Sequence, residues 1–150
     1  MIEVTASALA AHRFLHGMQL PQVQALSALA LDVTFAPGHR IFEEGGYASR
    51  FWLIQSGRVV LDKHLPEGGS LIIETVGMGD LVGWSWLFPP LHWTSGAVAL
   101  TRVEAFEFDA IAVRERCAAD PALAQDLTSR LAKVISRRLT ATQARLVARG

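Results

Sequence analysis

The sequence predicts a mainly β domain flanked by helices. Three observations carry that prediction. Short apolar runs recur between residues 31 and 109, with turn signals roughly every ten residues. Those signals are Pro37-Gly38, Gly45-Gly46, Gly57, Gly68-Gly69, Gly77 and Gly79. Such a cadence suits a β-sandwich or barrel and not the alternating strands and helices of a βαβ fold. The flanks, 1–30 and 110–150, carry helical spacing instead. The 150 residues are 51% apolar and 19% charged, with mean hydropathy +0.28. That is enough to fill the core of one domain spanning 1–150.

The elements follow in chain order. Ala8, Leu9, Ala11, Phe14 and Leu15 predict a first short helix. Pro21 suits the first turn of a second, with Val23, Leu26, Leu29 and Ala30 as its apolar face. Phe51-Trp52-Leu53-Ile54 and Val59-Val60-Leu61 predict a hairpin around Gln55-Ser56-Gly57-Arg58. Leu71-Ile72-Ile73 is a strand after the Gly68-Gly69 turn, and Ala97–Leu100 with Val103–Phe108 reads as the last pair. Asp109 caps a helix running through Cys117. Asp120-Pro121 opens a long helix, with Asp as N-cap and Pro at the first helical position. Along it, Leu123, Leu127, Leu131, Ile135, Leu139 and Leu146 draw one apolar stripe, with Val134 beside it.

Composition excludes several classes. Low hydrophobicity with high net charge marks disorder, and this chain shows neither. Cys117 is the single cysteine, so no intrachain disulfide exists. It reads as a small buried hydrophobe in a reducing cytoplasm. The longest uncharged stretch, Leu81 to Trp93, is broken by Pro89-Pro90 and falls short of the roughly 20 residues of a membrane span. The start, MIEVTAS, lacks the basic and apolar regions of a signal peptide. The expected location is cytoplasmic. Net charge is zero but uneven. Residues 113–150 hold 8 basic and 3 acidic side chains, and no acid follows Asp126. Helix-dipole complementarity accounts for much of this excess; a nucleic-acid surface is the alternative.

The β region carries an ordered pattern. Its first block is Phe35, Gly38, Ile41, Gly45, Ala48, Phe51, Trp52, Ile54, Gly57 and Val59. Its second is Gly69, Ile73, Val76, Gly79, Asp80, Val82 and Gly83. Together these resemble the cyclic-nucleotide-binding domain family, the sensor half of catabolite-activator-type regulators. The resemblance implies an eight-stranded jelly roll with N-terminal helices and a long C-terminal helix. It also implies a cyclic nucleotide held inside the roll, its phosphate on backbone N–H groups at a short cassette helix. In that family a Glu after the cassette Gly holds the ribose hydroxyl, and an Arg about ten residues on pairs with the phosphate.

The sequence departs at both positions. Gly83 matches the cassette Gly, but Trp84 replaces the Glu and Thr94 replaces the Arg; Ser95 keeps the small hydroxyl that follows. A charge-assisted hydrogen bond is worth about 1.5–3 kcal/mol. Losing both partners predicts cyclic-nucleotide binding weaker by roughly two to four decades. His92, Arg102 and Arg50 are candidate anion partners in place of the Arg. Trp84, Trp86 and Trp93 leave two readings open. They pack inward and plug the pocket, or they stack on a different ligand, oriented by Ser85, Thr94 and Ser95. The candidate ligand is cyclic AMP or another small nucleotide-like molecule.

Other chemistry is weaker. His12, His16, His39, His64 and His92 form no His-x-His pair, and only His12 and His16 are spaced to share a helix face, so no metal site is expected. Arg114 and Arg116 beside Cys117 would lower a thiol pKa, but no histidine is near in sequence to act as base. Arg137-Arg138 reads as a solvated face. In the resembled family the long helix pairs with its twin, so the stripe implies a homodimer. After that helix the chain leaves no room for a winged helix-turn-helix, so direct DNA binding is not expected. The predicted function is a non-enzymatic, stand-alone sensor or regulatory domain, working through a small ligand or a protein partner. The alternatives are a nucleic-acid-associated regulator and an adaptor with a plugged pocket.

Overall fold

A computed structural model describes residues 2–149. The chain divides into two compact units, Met1–Glu115 and Arg116–Gly150.

The first unit opens with a two-residue strand, β1 (Ile2–Glu3), which the helical reading of 1–30 does not anticipate. Helix α1 (Ala6–Ala10) follows, capped by the Thr5 hydroxyl, then a 3-10 turn at Arg13–Leu15 and α2 (Leu20–Ser27) with Pro21 in its first turn. Ala8 and Ala11 are exposed, so the first helix buries Leu9 alone. Leu29 lies beyond α2, and Ala30 starts a strand. The helical spacing overran there because apolar residues continue from helix into strand without a turn signal.

Eight strands lie between Ala30 and Asp109, the number the resemblance implies. They are β2 (Ala30–Phe35), β3 (Arg40–Phe42), β4 (Arg50–Ser56), β5 (Val59–His64), β6 (Ser70–Val76), β7 (Leu81–Val82), β8 (Gly96–Ala99) and β9 (Val103–Asp109). One sheet has the order β1-β2-β9-β4-β7 and the other β3-β8-β5-β6. All pairings are antiparallel. Two predicted hairpins are corrected by this topology. β4 and β5 lie in different sheets, as do β8 and β9. The turn between β4 and β5 crosses the edge of the sandwich. Gly57 makes the crossing with φ +90, its Cα pressed against the Arg102–Val103 backbone of the other crossing. A side chain there has neither the room nor the conformation. The β5–β6 hairpin around Gly68-Gly69 forms as predicted.

Alternation along β4 sets the two layers of the core. Trp52 stacks on Phe42 of the second sheet, so Trp52 faces the space between the sheets. Phe51 and Leu53 pair with Phe108 and Phe106 and face the other way. On that side Phe106 meets His12 of the N-terminal segment edge-on. The helix α3 (Ala110–Ala119) follows β9, with the Asp109 carboxylate accepting from the N–H groups of Ile111 and Ala112 as expected.

The second unit holds the end of α3 and the 29-residue α4 (Pro121–Arg149), capped by Asp120 through the Leu123 N–H. The single apolar stripe is corrected. Each step of four residues overshoots a full turn by roughly 40°, so the row from Leu123 to Leu139 winds roughly 160° around the helix. Leu123, Leu127, Leu131 and Val134 are buried, whereas Leu139 and Leu146 are 57% and 64% exposed.

Candidate functional site

The predicted cassette begins where β7 ends. Gly83 has φ +89, a left-handed conformation that leaves the strand sharply. A single 3-10 turn, Ser85–Leu87, follows. The tryptophans part company here. Trp86 is fully buried; its Nε1–H donates to the Gly83 carbonyl at 3.2 Å, and its ring stacks on Phe51 at 4.5 Å. Phe51 in turn stacks on Phe108 at 4.7 Å. Trp93 is also buried and stacks on Phe42 at 4.0 Å, with Trp52 tilted beside it at 6.1 Å. Its ring lies directly on Gly83. Trp84 is half-buried, edge-on to Phe88. Trp93 is therefore turned toward the space between the sheets, beside Phe42 and Trp52, whereas Trp86 packs on the other face of its sheet, against Phe51.

The far end of the cassette is tied to the segment before β4. Trp93 N–H donates to the Gly46 carbonyl, Gly45 N–H to the Trp93 carbonyl, and Ala48 N–H to the Leu91 carbonyl, all at 2.7–2.8 Å. Trp93 therefore has little backbone freedom. Ser85 is buried, Ser95 half-buried and Thr94 exposed.

The candidate anion partners are scattered. Arg50 is adjacent, since its carbonyl lies close to Gly83, but its guanidinium faces Glu107 at 3.7 Å. His92 is exposed and meets Tyr47 edge-on. Arg102 is not brought to the cassette. It lies by Gly57, at the opposite end of β4 from Arg50, and pairs with Glu104 at 3.1 Å. Six strand residues separate the two ends, roughly 20 Å.

Several residues here escaped sequence reasoning. Lys63 donates to the Thr94 carbonyl at 2.6 Å and lies 3.5 Å from Glu44, so a cation from β5 reaches Thr94. Asp62 and Arg40 form a two-armed ion pair at 2.8 and 2.9 Å across Gly96, with Asp62 buried. The Arg40 guanidinium holds the Asp62 carboxyl below the usual carboxylate range. An acid inside the run Val59-Val60-Leu61-Asp62 is the signal that could have found this pair. Phe42 is the stacking platform of Trp93, and no local signal marks it.

The remaining titratable groups have structural explanations. His12 is buried at the start of the 3-10 turn and shares no helix face with His16. Its Nε2–H donates to the Ile54 carbonyl at 2.8 Å while Nδ1 accepts from Phe14 N–H at 3.1 Å. Burial lowers its pKa. Burial raises the Cys117 thiol, with Asp120 adding to the effect, so the thiol is not activated by the neighbouring arginines. Among the described residues no three His, Cys, Asp or Glu side chains gather to hold a metal ion. No described helix is long and apolar enough to cross a membrane.

Comparisons with known proteins agree on one fold. The family model described as "Cyclic nucleotide-binding domain" matches residues 32–120. A curated relative, the CRP-like cAMP-activated global transcriptional regulator of Mycobacterium tuberculosis, is 31% identical over 126 residues. The match takes in 84% of this chain and 54% of that protein, so the chain spans about half the length of this relative. Among solved structures, a cyclic nucleotide-binding protein from Geobacter metallireducens superposes with TM-score 0.82 at 26% identity, over 91% of this chain and 98% of the other. The regulatory domain of Toxoplasma gondii PKA, crystallised with cAMP, superposes with TM-score 0.73 at 17% identity, over 88% of this chain and 48% of the other, and shares the fold alone.

Proposed function

Because the chain belongs to the cyclic nucleotide-binding domain family, we propose that it is a non-enzymatic sensor or regulatory domain, working in the cytoplasm, whose ligand site is filled by its own Trp93. Cyclic-nucleotide binding is then weak, or the ligand is altered. The observation that carries this reading is the Trp93 ring on Gly83, the residue that matches the family's cassette Gly. Trp84 and Thr94 stand where the ribose- and phosphate-binding side chains belong. Lys63 is spent on Thr94 and Glu44. Gly83, Trp84, Ser85, Trp86, Thr94 and Ser95 remain the residues that a ligand would meet.

A thermal-shift titration with cyclic AMP and cyclic GMP, each to about 1 mM, tests this. A ligand at 100 times its Kd adds about 2.7 kcal/mol, roughly 5–11 °C for a domain this size. The native chain should show no such shift. The triple variant Trp84→Glu, Trp93→Ala, Thr94→Arg should show one. A full shift in the native chain overturns the filled-cassette reading and makes the protein an ordinary cyclic-nucleotide sensor.

A second reading rests on the basic end of α4, where no acid follows Asp126. It makes the chain part of a nucleic-acid-associated regulator, as the name of its M. tuberculosis relative describes that protein. A DNA mobility shift that weakens steeply with salt supports it; no binding at 50 mM salt removes it.

A further inference from the structure

Arg114, on α3, has no part in the reading above. Its guanidinium is forked between two acceptors. Nη1 donates to the Trp86 carbonyl at 3.0 Å and Nη2 to the Tyr47 hydroxyl at 3.3 Å. Trp86 belongs to the front of the cassette. Tyr47 belongs to the segment before β4 and forms an isolated antiparallel bridge with His92, at the back of the cassette. One side chain therefore touches the front directly and the back through Tyr47. The planar five-donor fork of arginine suits two acceptors at fixed separation; the single ammonium of lysine serves one at a time.

We propose that Arg114 is a positioning residue that latches the two ends of the cassette to α3. The latch holds Trp86 and Trp93 in place, and any ligand that reshapes the cassette has to shift it. Only this last consequence rests on the cassette being the ligand site.

Amide hydrogen exchange on the full chain tests the latch without a ligand. The reporters are Leu87 and Phe88 N–H at the front and Leu91 and Trp93 N–H at the back, all bonded to backbone carbonyls. Arg114→Gln should speed exchange at both ends by about tenfold, equivalent to about 1.4 kcal/mol. Protection in β5 and β6 should not change. Arg114→Lys should restore protection at one end at most. Tyr47→Phe, a milder change, should release the back alone. Uniform loss of protection through the roll in Arg114→Gln and Tyr47→Phe, or unchanged exchange at the cassette, overturns the proposal. In a second arm, Arg114→Gln is added to the triple variant Trp84→Glu, Trp93→Ala, Thr94→Arg, and cyclic AMP affinity should change by about tenfold. If the triple variant binds no cyclic AMP, the ligand-site reading fails while the exchange data still decide the latch.

Discussion

The Trp93 ring rests on the backbone of Gly83: a β-carbon added to the glycine would stand 2.8 Å from Cη2 and Cζ3 of the indole. Gly83→Ala therefore meets two obstacles, a φ of +89 and the ring. The backbone part alone costs about 1–3 kcal/mol. In a double-mutant cycle, the cost of Gly83→Ala should be smaller in a Trp93→Leu background than in the native chain, with the coupling read from urea melts. Equal costs in both backgrounds would place the ring elsewhere.

The Arg40–Asp62 pair predicts a second, pH-dependent stability change. The folded-state pKa of Asp62 lies below its ordinary value of 3.8. Its contribution is therefore fully present above pH 3.8 and is lost as pH falls through the folded value. Asp62→Asn should cost about 2 kcal/mol at pH 7. That is below the usual figure for breaking a buried pair, because Arg40 reaches solvent and keeps part of its hydration. The gap between native and variant melts should close below about pH 4, as carboxylates protonate. A gap independent of pH would mean that the loss is one of packing.

Residues whose partners are local were legible in advance. Asp109 and Asp120 cap their helices, and Pro21 opens another, because each acts within four residues of itself. The β5–β6 turn at Gly68-Gly69 is local in the same way. The false hairpins failed for the converse reason. β4 and β5 go to different sheets across a turn in which Gly57 packs on Arg102, 45 positions away, and nothing beside Gly57 reports that approach. The cassette shows the same division. The sequence reads Trp84 and Thr94 where the resemblance expects a Glu and an Arg, but three tryptophans in one aromatic stretch look alike. Which face of the sheet each one takes is decided by Phe42 and Phe51, distant in the chain.

His12 predicts acid sensitivity of the N-terminal segment. Nδ1 accepts from Phe14 N–H and Nε2–H donates to the Ile54 carbonyl, so the buried ring is held neutral, and a second proton would remove the acceptor. Burial lowers the folded pKa below the ordinary 6.5; the Ile54 hydrogen bond opposes this, and the charges nearby are Arg13 and Asp80. The unfolded chain takes up its proton first as pH falls. Stability should decline below pH 6.5, by at most about 1.4 kcal/mol per pH unit, until the folded pKa is passed. His12→Gln should flatten this part of the pH profile in urea melts. A variant with the native slope would assign the titration to another group.

The outer half of α4 predicts a dimer seam. Leu139 and Leu146 are seven residues apart, within roughly 20° of one line along the helix, and both are more than half exposed. Ile135 continues the row toward the buried half. Burying a leucine side chain is worth about 1.5–3 kcal/mol, and a symmetric pair of these helices covers Leu139 and Leu146 of both copies at once. Sedimentation at tens of micromolar should then report about twice 16.3 kDa. Leu139→Glu with Leu146→Glu should give the single mass and leave the melting of the roll unchanged, since neither side chain is buried within the chain. A native chain that sediments as a monomer refutes the seam. A double variant that remains dimeric moves the interface to another surface.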